Sequence, residues 1–346
     1  MSDLLDKVRW LLSIPSPTCQ EQQIFEQMLS WCQRQLPQAH IQTFRCGFRV
    51  EPPSRNRQVR VALVGHLDTV PEADRQRTDV EGDRIFGCGA SDMKSGVAVM
   101  MELLEHHLES SVDLVGLFYD REEGPYADNG LEPLLEGLPT VDFAVVLEPT
   151  LNQIQAGCVG SIQARVHFQG KRAHSARPWQ GRNAIYEALP FLQRLAQVQP
   201  RSVFSQGLEF FEVLSATQAF SPGPSNAVPD RFTLNVNQRF APGKPLPQAE
   251  QELRDWIGPG PEVEVLDGAP SGSVRLEHPR VRQWIDAHRL VVQPKQAWTD
   301  VARLDQRGIP AFNFGPGDPA QAHQADEWVE ASRVIENYRL LRSLLQ

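Results

Sequence analysis

The sequence predicts an α/β protein: a doubly wound, mostly parallel sheet interrupted by an inserted α+β domain of ferredoxin-like order. Three observations predict it. Apolar runs at residues 59–65, 113–119, 142–147 and 310–314 each end abruptly in polar side chains, with helix-like segments between them. Such runs read as strands buried on both faces, the mark of a parallel sheet covered by helices. Near Gly157 the texture changes to strict alternation, VGSIQARVHF over 159–168, as in a sheet with one solvated face. After 268-GAPSGS-273, a linker by composition, the first pattern returns. At 346 residues two domains are expected. The boundaries place residues 1–157 and 270–346 in one discontinuous domain and 158–269 in the insertion.

In chain order, Leu4–Leu12 predicts a short helix halted at Pro15 and Pro17. Thr18 and Glu21 stand at capping-box spacing before a helix bearing Ile24, Phe25, Met28, Leu29 and Trp31. Val59–Gly65 is the organising strand, and it leads into His66 and Asp68. A glycine-spaced turn, 87-GCGASD-92, then delivers Asp92 to a buried helix over Gly96–Leu108. The strand 113-DLVGLFY-119 runs on to Glu122–Glu123, a helix is predicted over Asn129–Leu138, and 142-DFAVVLEP-149 ends in Glu148–Pro149. Within the insertion, a strand at 159–168, a helix over Asn183–Val198, strands Leu208–Gln218 and Val228–Phe240, a helix Pro247–Ile257 and a strand Val263–Leu266 give the order βαββαβ. A helix at Val281–His288, the tight stretch 298-WTDVARL-304, a strand in 310-PAFNFGPGDP-319, His323 and a final helix Ser332–Leu345 close the chain.

Composition excludes several functions. The formal net charge of −9, with no run of Lys or Arg, argues against nucleic acid or an anionic membrane as partner. No segment approaches the roughly 20 apolar residues of a membrane span. The N-terminus lacks a basic leader with an apolar core. Cys19, Cys32, Cys46, Cys88 and Cys158 are scattered without a C-x-x-C pair, so reduced thiols in a cytoplasmic protein are expected.

The chemistry rests on where the runs end. His66, Asp92, Glu123, Glu148 and His323 follow strand-like runs or the adjoining turn, so parallel neighbours would bring all five to one sheet edge, where open α/β sheets place their sites. Two imidazoles and three carboxylates suit Zn²⁺. Five ligands exceed what one catalytic zinc needs and match two zincs sharing a carboxylate, roughly 3.5–4 Å apart. Adjacent Glu122 and Glu123 cannot both aim comfortably at one metal, so one ligates and the other moves protons. Asp68, two residues after His66, is placed to accept a hydrogen bond from the ring's far nitrogen. Each residue has a plainer reading: Glu122–Glu123 as a solvated turn, Asp92 as a helix cap, Glu148 as a helix-entry residue before proline, His323 as a loop histidine. Their coincidence at the ends of four runs, with little Lys or Arg to neutralise them, favours metal.

GHLDTV, GASDMKSG, the Glu122–Glu123 pair, LEPT and AHQADE together resemble the dinuclear zinc aminoacylase/carboxypeptidase hydrolases, over essentially the whole chain. The resemblance implies hydrolysis of a linear amide and two Zn²⁺ ions, with Co²⁺ able to substitute. His66 and Glu148 would hold one ion and Glu123 and His323 the other. Asp92 would bridge them, its peptide to Met93 commonly cis. It makes Glu122 the general base and Asp68 the partner behind the ligands, and it makes the insertion a lid and dimerisation domain. His174, in 170-GKRAHSARPWQGRNAI-185, matches a lid histidine that reaches across a dimer to the reacting oxygen. Asn226 and Arg239 match substrate-contacting positions. The WTD around Thr299 stands where other members carry a glycine-rich serine motif, and Thr299 is taken as a substrate-side residue. The tryptophan-centred sequence common in many members is missing between Val70 and Ile85. Within the family the motifs resemble most the branch that acts on a small N-acyl diamino acid.

Overall fold

Four strands carry the larger unit because their mostly apolar sequences leave little polar surface to face water. In the computed structural model, which describes residues 2–71 and 77–346, Arg60–His66, Asp113–Tyr119, Phe143–Pro149 and Ala311–Gly315 are buried almost throughout. Part of the polar connection between Val70 and Ile85 lies outside the described residues. The four strands are parallel neighbours: Arg60–His66 sits between Asp113–Tyr119 and Phe143–Pro149, and Ala311–Gly315 lies beyond the latter. Parallel register aligns their carboxyl ends, so His66 pairs with Tyr119 and Gly315 with Pro149. The hairpin of His40–Phe44 and Gly47–Glu51 extends one edge antiparallel, and Ile154–Ala156 with Val292–Pro294 extends the other.

The buried helix expected over Gly96–Leu108 forms, but it ends earlier, at Glu105. Ala90–Lys94 forms a tight π-type turn containing a cis Asp92–Met93 peptide, and Ser95–Glu105 follows as a helix with ten buried residues. Gly89 enters that turn at φ +81, a conformation that favours glycine.

Chain contacts define two units: Met1–Gly157, Val274–Pro294 and Thr299–Gln346 form one, and Cys158–Ser273 with Lys295–Trp298 the other. The second unit is an antiparallel sheet in the order Arg201–Ser205, Leu208–Phe220, Arg231–Phe240, Gly160–Gln169, Glu262–Ala269. Without its first edge strand this is ferredoxin-like order. Ile162, Ala164, Val166 and Phe168 are buried, as the alternation requires, against Phe191, Leu195, Leu253 and Ile257 of the covering helices.

Several expectations are corrected. The capping box at Thr18 does not form: the helix begins at Gln22, the Glu21 carboxylate accepts the Cys19 N–H at 2.8 Å, and the Thr18 hydroxyl turns to Asp68. The helix expected over 183–198 is two pieces, Ala184–Glu187 and Leu189–Leu195, broken where Pro190 removes a backbone donor. The helix expected over 129–138 shrinks to Leu131–Leu135. The hairpin over 40–51 and the edge strand at 201–205 escape the sequence reading because all three strands are short, and His40–Phe44 and Arg201–Ser205 are partly exposed. Among the described residues no helix is long and apolar enough to cross a membrane.

Candidate active site and metal centre

The strand ends converge. His66 Nε2 lies 3.2 Å from Asp92 Oδ1 and 3.9 Å from Glu148 Oε1. His323 Nε2 lies 3.1 Å from Glu123 Oε1 and 3.9 Å from Asp92 Oδ2. Asp92 therefore offers one oxygen to each imidazole and stands between two groups of donors. His66, Asp92 and Glu123 present ligand atoms all within 4.8 Å of one another. Nitrogen and carboxylate donors in this arrangement fit a pair of divalent cations sharing Asp92. Another acidic trio, Asp3, Glu102 and Glu105, is held by the ammonium of Lys7 at 3.1, 2.6 and 2.7 Å, so a lysine already serves it.

The tautomer of His66 is set, though not as its spacing predicts. Nδ1 lies 2.9 Å from the backbone carbonyl of Asp68, whereas the Asp68 carboxylate is 3.6 Å away. A carbonyl only accepts, so Nδ1 carries a proton and Nε2 is the ring nitrogen turned to the cluster. The strand ends at His66, and beyond it the extended geometry assumed by the spacing argument is lost. The Asp68 carboxylate instead holds the loop after Tyr119. It accepts the N–H of Glu122 at 3.0 Å on Oδ1, and on Oδ2 the N–H of Glu123 at 3.1 Å and the Thr18 hydroxyl at 3.0 Å. Asp68, braced by Thr18, thus holds the backbone of Glu122 and Glu123 in place.

Burial, followed by the charge of Glu148, pushes the Glu122 carboxyl well above the ordinary range; His66 opposes this, and Glu123 and Asp300 add to it. Burial works against the charge of His66, but the carboxylates of Asp68 and Asp92 outweigh it and hold the ring well above its usual pKa. The Glu123 hydrogen bond raises His323 to about 9.

Asp300, unnoticed in the sequence beside Thr299, closes the back of this loop. Fully buried, it accepts the Tyr119 hydroxyl at 2.7 Å, the Asn129 amide at 2.9 Å and the Arg303 guanidinium at 3.0 Å. Thr299 is itself buried, just before the helix Val301–Gln306. Glu327 is a second carboxylate outside the predicted set; it accepts backbone N–H groups from the turn before Asp92.

The remaining predicted residues belong to the other unit. The segment Ala173–His174 pairs with Ala227–Val228, and the Ser175 N–H donates to the Asn226 carbonyl, so His174 and Asn226 lie on adjoining segments. His174 is exposed, and its Nδ1 accepts the Ala176 N–H at 3.1 Å, which leaves Nε2–H as a donor. Arg239 donates through Nε to Asn237 at 3.0 Å, and burial lowers its pKa.

A doubly wound sheet with histidines and carboxylates gathered at its strand ends, joined to a ferredoxin-like unit, defines a two-unit metallohydrolase. The chain belongs to peptidase family M20/M25/M40, whose model matches residues 62–346. It is accordingly a hydrolase of a metal-dependent family. A Corynebacterium glutamicum protein named succinyl-diaminopimelate desuccinylase is 35% identical over 97% of this chain and 94% of its own. A Mycobacterium tuberculosis protein, provisionally given the same desuccinylase name, is 37% identical over 99% of this chain and 98% of its own. Among solved structures, a Staphylococcus aureus tripeptidase superposes with a TM-score of 0.80 at 17% identity, covering 99% of this chain and 97% of that one. A Bacillus subtilis protein described as a dinuclear metal-binding peptidase of family M20 gives 0.68 at 16% identity, covering 99% and 97%.

Proposed function

We propose that this chain removes succinate from N-succinyl-LL-2,6-diaminopimelate to give LL-diaminopimelate, a precursor of lysine and of cell-wall peptide, in the cytoplasm. The observation that carries the chemistry is Asp92 shared between His66 and His323, with Glu122 beside them and outside the ligand groups. The choice of acyl group and amine rests on the near full-length desuccinylase relatives.

His66 and Glu148 would hold one Zn²⁺, Glu123 and His323 the other, and Asp92 both. Bound there, the pair supplies an acidified water and a polarised amide carbonyl. Glu122 takes the proton of the attacking water on its carboxylate and returns it to the leaving amine nitrogen, a use that suits a carboxyl whose pKa is raised. His174, with Nε2–H free to donate, stabilises the oxyanion of the tetrahedral intermediate. Arg239 receives a substrate carboxylate, since a planar guanidinium binds one through two parallel hydrogen bonds, and Asn226 adds a polar contact. A homodimer through the inserted unit completes the reading.

Two measurements test it. Turnover of N-succinyl-LL-diaminopimelate should exceed that of N-acetylornithine by orders of magnitude; the reverse preference would reassign the substrate while leaving the chemistry intact. Glu122→Gln should lower kcat by about 10²–10⁴-fold with full metal content. Normal turnover by that variant would remove Glu122 from the mechanism.

A further inference from the structure

Four residues beyond His323 the chain buries a carboxylate that no step above uses. Glu327 is 4% exposed. Its Oε1 accepts the N–H of Ser91 at 2.7 Å and of Asp92 at 2.8 Å, and its Oε2 accepts the N–H of Gly89 at 2.7 Å. Three donors converge on it from the turn that leads into Asp92. The Gly87 N–H also donates to the Glu327 carbonyl at 3.0 Å. The same turn grips the His323 segment at two further points. Ser91 Oγ donates to the Trp328 carbonyl at 2.7 Å and accepts the Asp318 N–H at 3.1 Å. His323 itself is exposed, on a backbone with φ +65.

We infer that Glu327 is the positioning residue that sets Asp92 and His323 in register with one another, an inference that rests on the two-metal reading above. One carboxylate fixes the backbone from which Asp92 hangs, and so decides whether its two oxygens reach both imidazoles. It stands in the same short segment as His323, so the anchor for one ligand is also the anchor for the other. The residue type follows from the contacts. An ionised carboxylate accepts on both oxygens and donates on neither, whereas a glutamine would turn an NH₂ group toward at least one backbone N–H. Partners behind metal ligands commonly govern affinity by 10–100-fold.

The test compares the full-length wild-type chain with Glu327→Gln, both freed of metal and checked for folding by circular dichroism. Each is titrated with Zn²⁺ against a chromophoric chelator, and with Co²⁺ by visible absorption. Wild type should take up two ions per chain. The variant should bind the second about tenfold or more weakly, show an altered Co²⁺ band, and lose kcat with KM unchanged. Two ions bound with wild-type affinity, the same band and the same kcat would overturn the inference while leaving the metal reading standing. A wild-type chain that binds no metal would overturn both. If Glu327→Gln does not fold, Glu327→Asp, which keeps the charge but shortens its reach to the N–H groups of Gly89, Ser91 and Asp92, carries the test. Weaker binding of the second ion supports the inference, and unchanged binding overturns it.

Discussion

As proposed ligands, His323 and His66 must first give up a proton. The Glu123 hydrogen bond holds His323 protonated up to about 9, and the carboxylates around His66 hold it well above its usual value. Metal entering below that range displaces protons, so affinity should rise by about tenfold per pH unit for each proton released, and the His323 share of that rise should fade above about pH 9. Chelator competition between pH 6 and 10 measures this, and a flat profile would contradict it. The stability consequence has a definite sign. A folded pKa raised above the unfolded value stabilises fully below the unfolded value, about 6.5, and the gain is lost as pH rises through the folded value. The metal-free chain should therefore lose stability as pH climbs from 6.5 past 9. The loaded chain should not, because its imidazoles are already deprotonated. The convergence of these side chains was legible because each follows a buried run. The task of Asp68 was not, because it depends on where the chain bends after His66 and on a loop some 50 residues away.

The helix Ser95–Glu105 and the strand Phe143–Pro149 meet at Gly96, and that meeting places Glu148. On an exposed helix Gly→Ala gains about 1 kcal/mol from propensity. Here a Cβ at residue 96 would stand 2.4 Å from the Leu147 carbonyl oxygen and 2.9 Å from Leu147 Cβ. Backbone cannot rotate aside as a side chain can, and overpacking costs about 1–3 kcal/mol. The clash outweighs the propensity, so Gly96→Ala should lower stability by about 1–2 kcal/mol and reduce metal uptake, since relief requires moving the strand next to Glu148. Denaturant unfolding with a metal titration checks it, and a variant more stable than wild type would show that the helix yields freely. At this scale the sequence was informative where burial is two-sided, as in Arg60–His66, because apolar runs admit one reading. It was uninformative for His40–Phe44 and Arg201–Ser205, whose partial exposure leaves no clear period. It misjudged 183–198, where an apolar pattern runs across Pro190 and the proline decides.

Taken whole, the chain divides its candidate chemistry between two units. The ligands, Glu122 and Asp68 belong to the parallel-sheet unit, while His174, Asn226 and Arg239 belong to the ferredoxin-like one. The change from continuous to alternating apolar pattern near Gly157 made that division visible in the sequence, because the two sheets bury different numbers of faces. The return of Lys295–Trp298 to the second unit was invisible, since a four-residue excursion carries no periodicity. The proposed dimer gives the division a consequence that mixing can test. Glu122→Gln keeps a sound His174, and His174→Ala keeps a sound Glu122, so each homodimer is inactive. If the oxyanion donor comes from the other subunit, a mixed dimer assembles one sound site of two. Random reassortment makes half of all dimers mixed, and activity should return to about a quarter of wild type. If His174 serves its own chain, no mixed dimer holds a sound site, and activity stays at the sum of the two parents. Subunit exchange followed by native mass spectrometry confirms that mixed dimers are present. With them present and no activity regained, the crossed arrangement is refuted even if both residues prove essential.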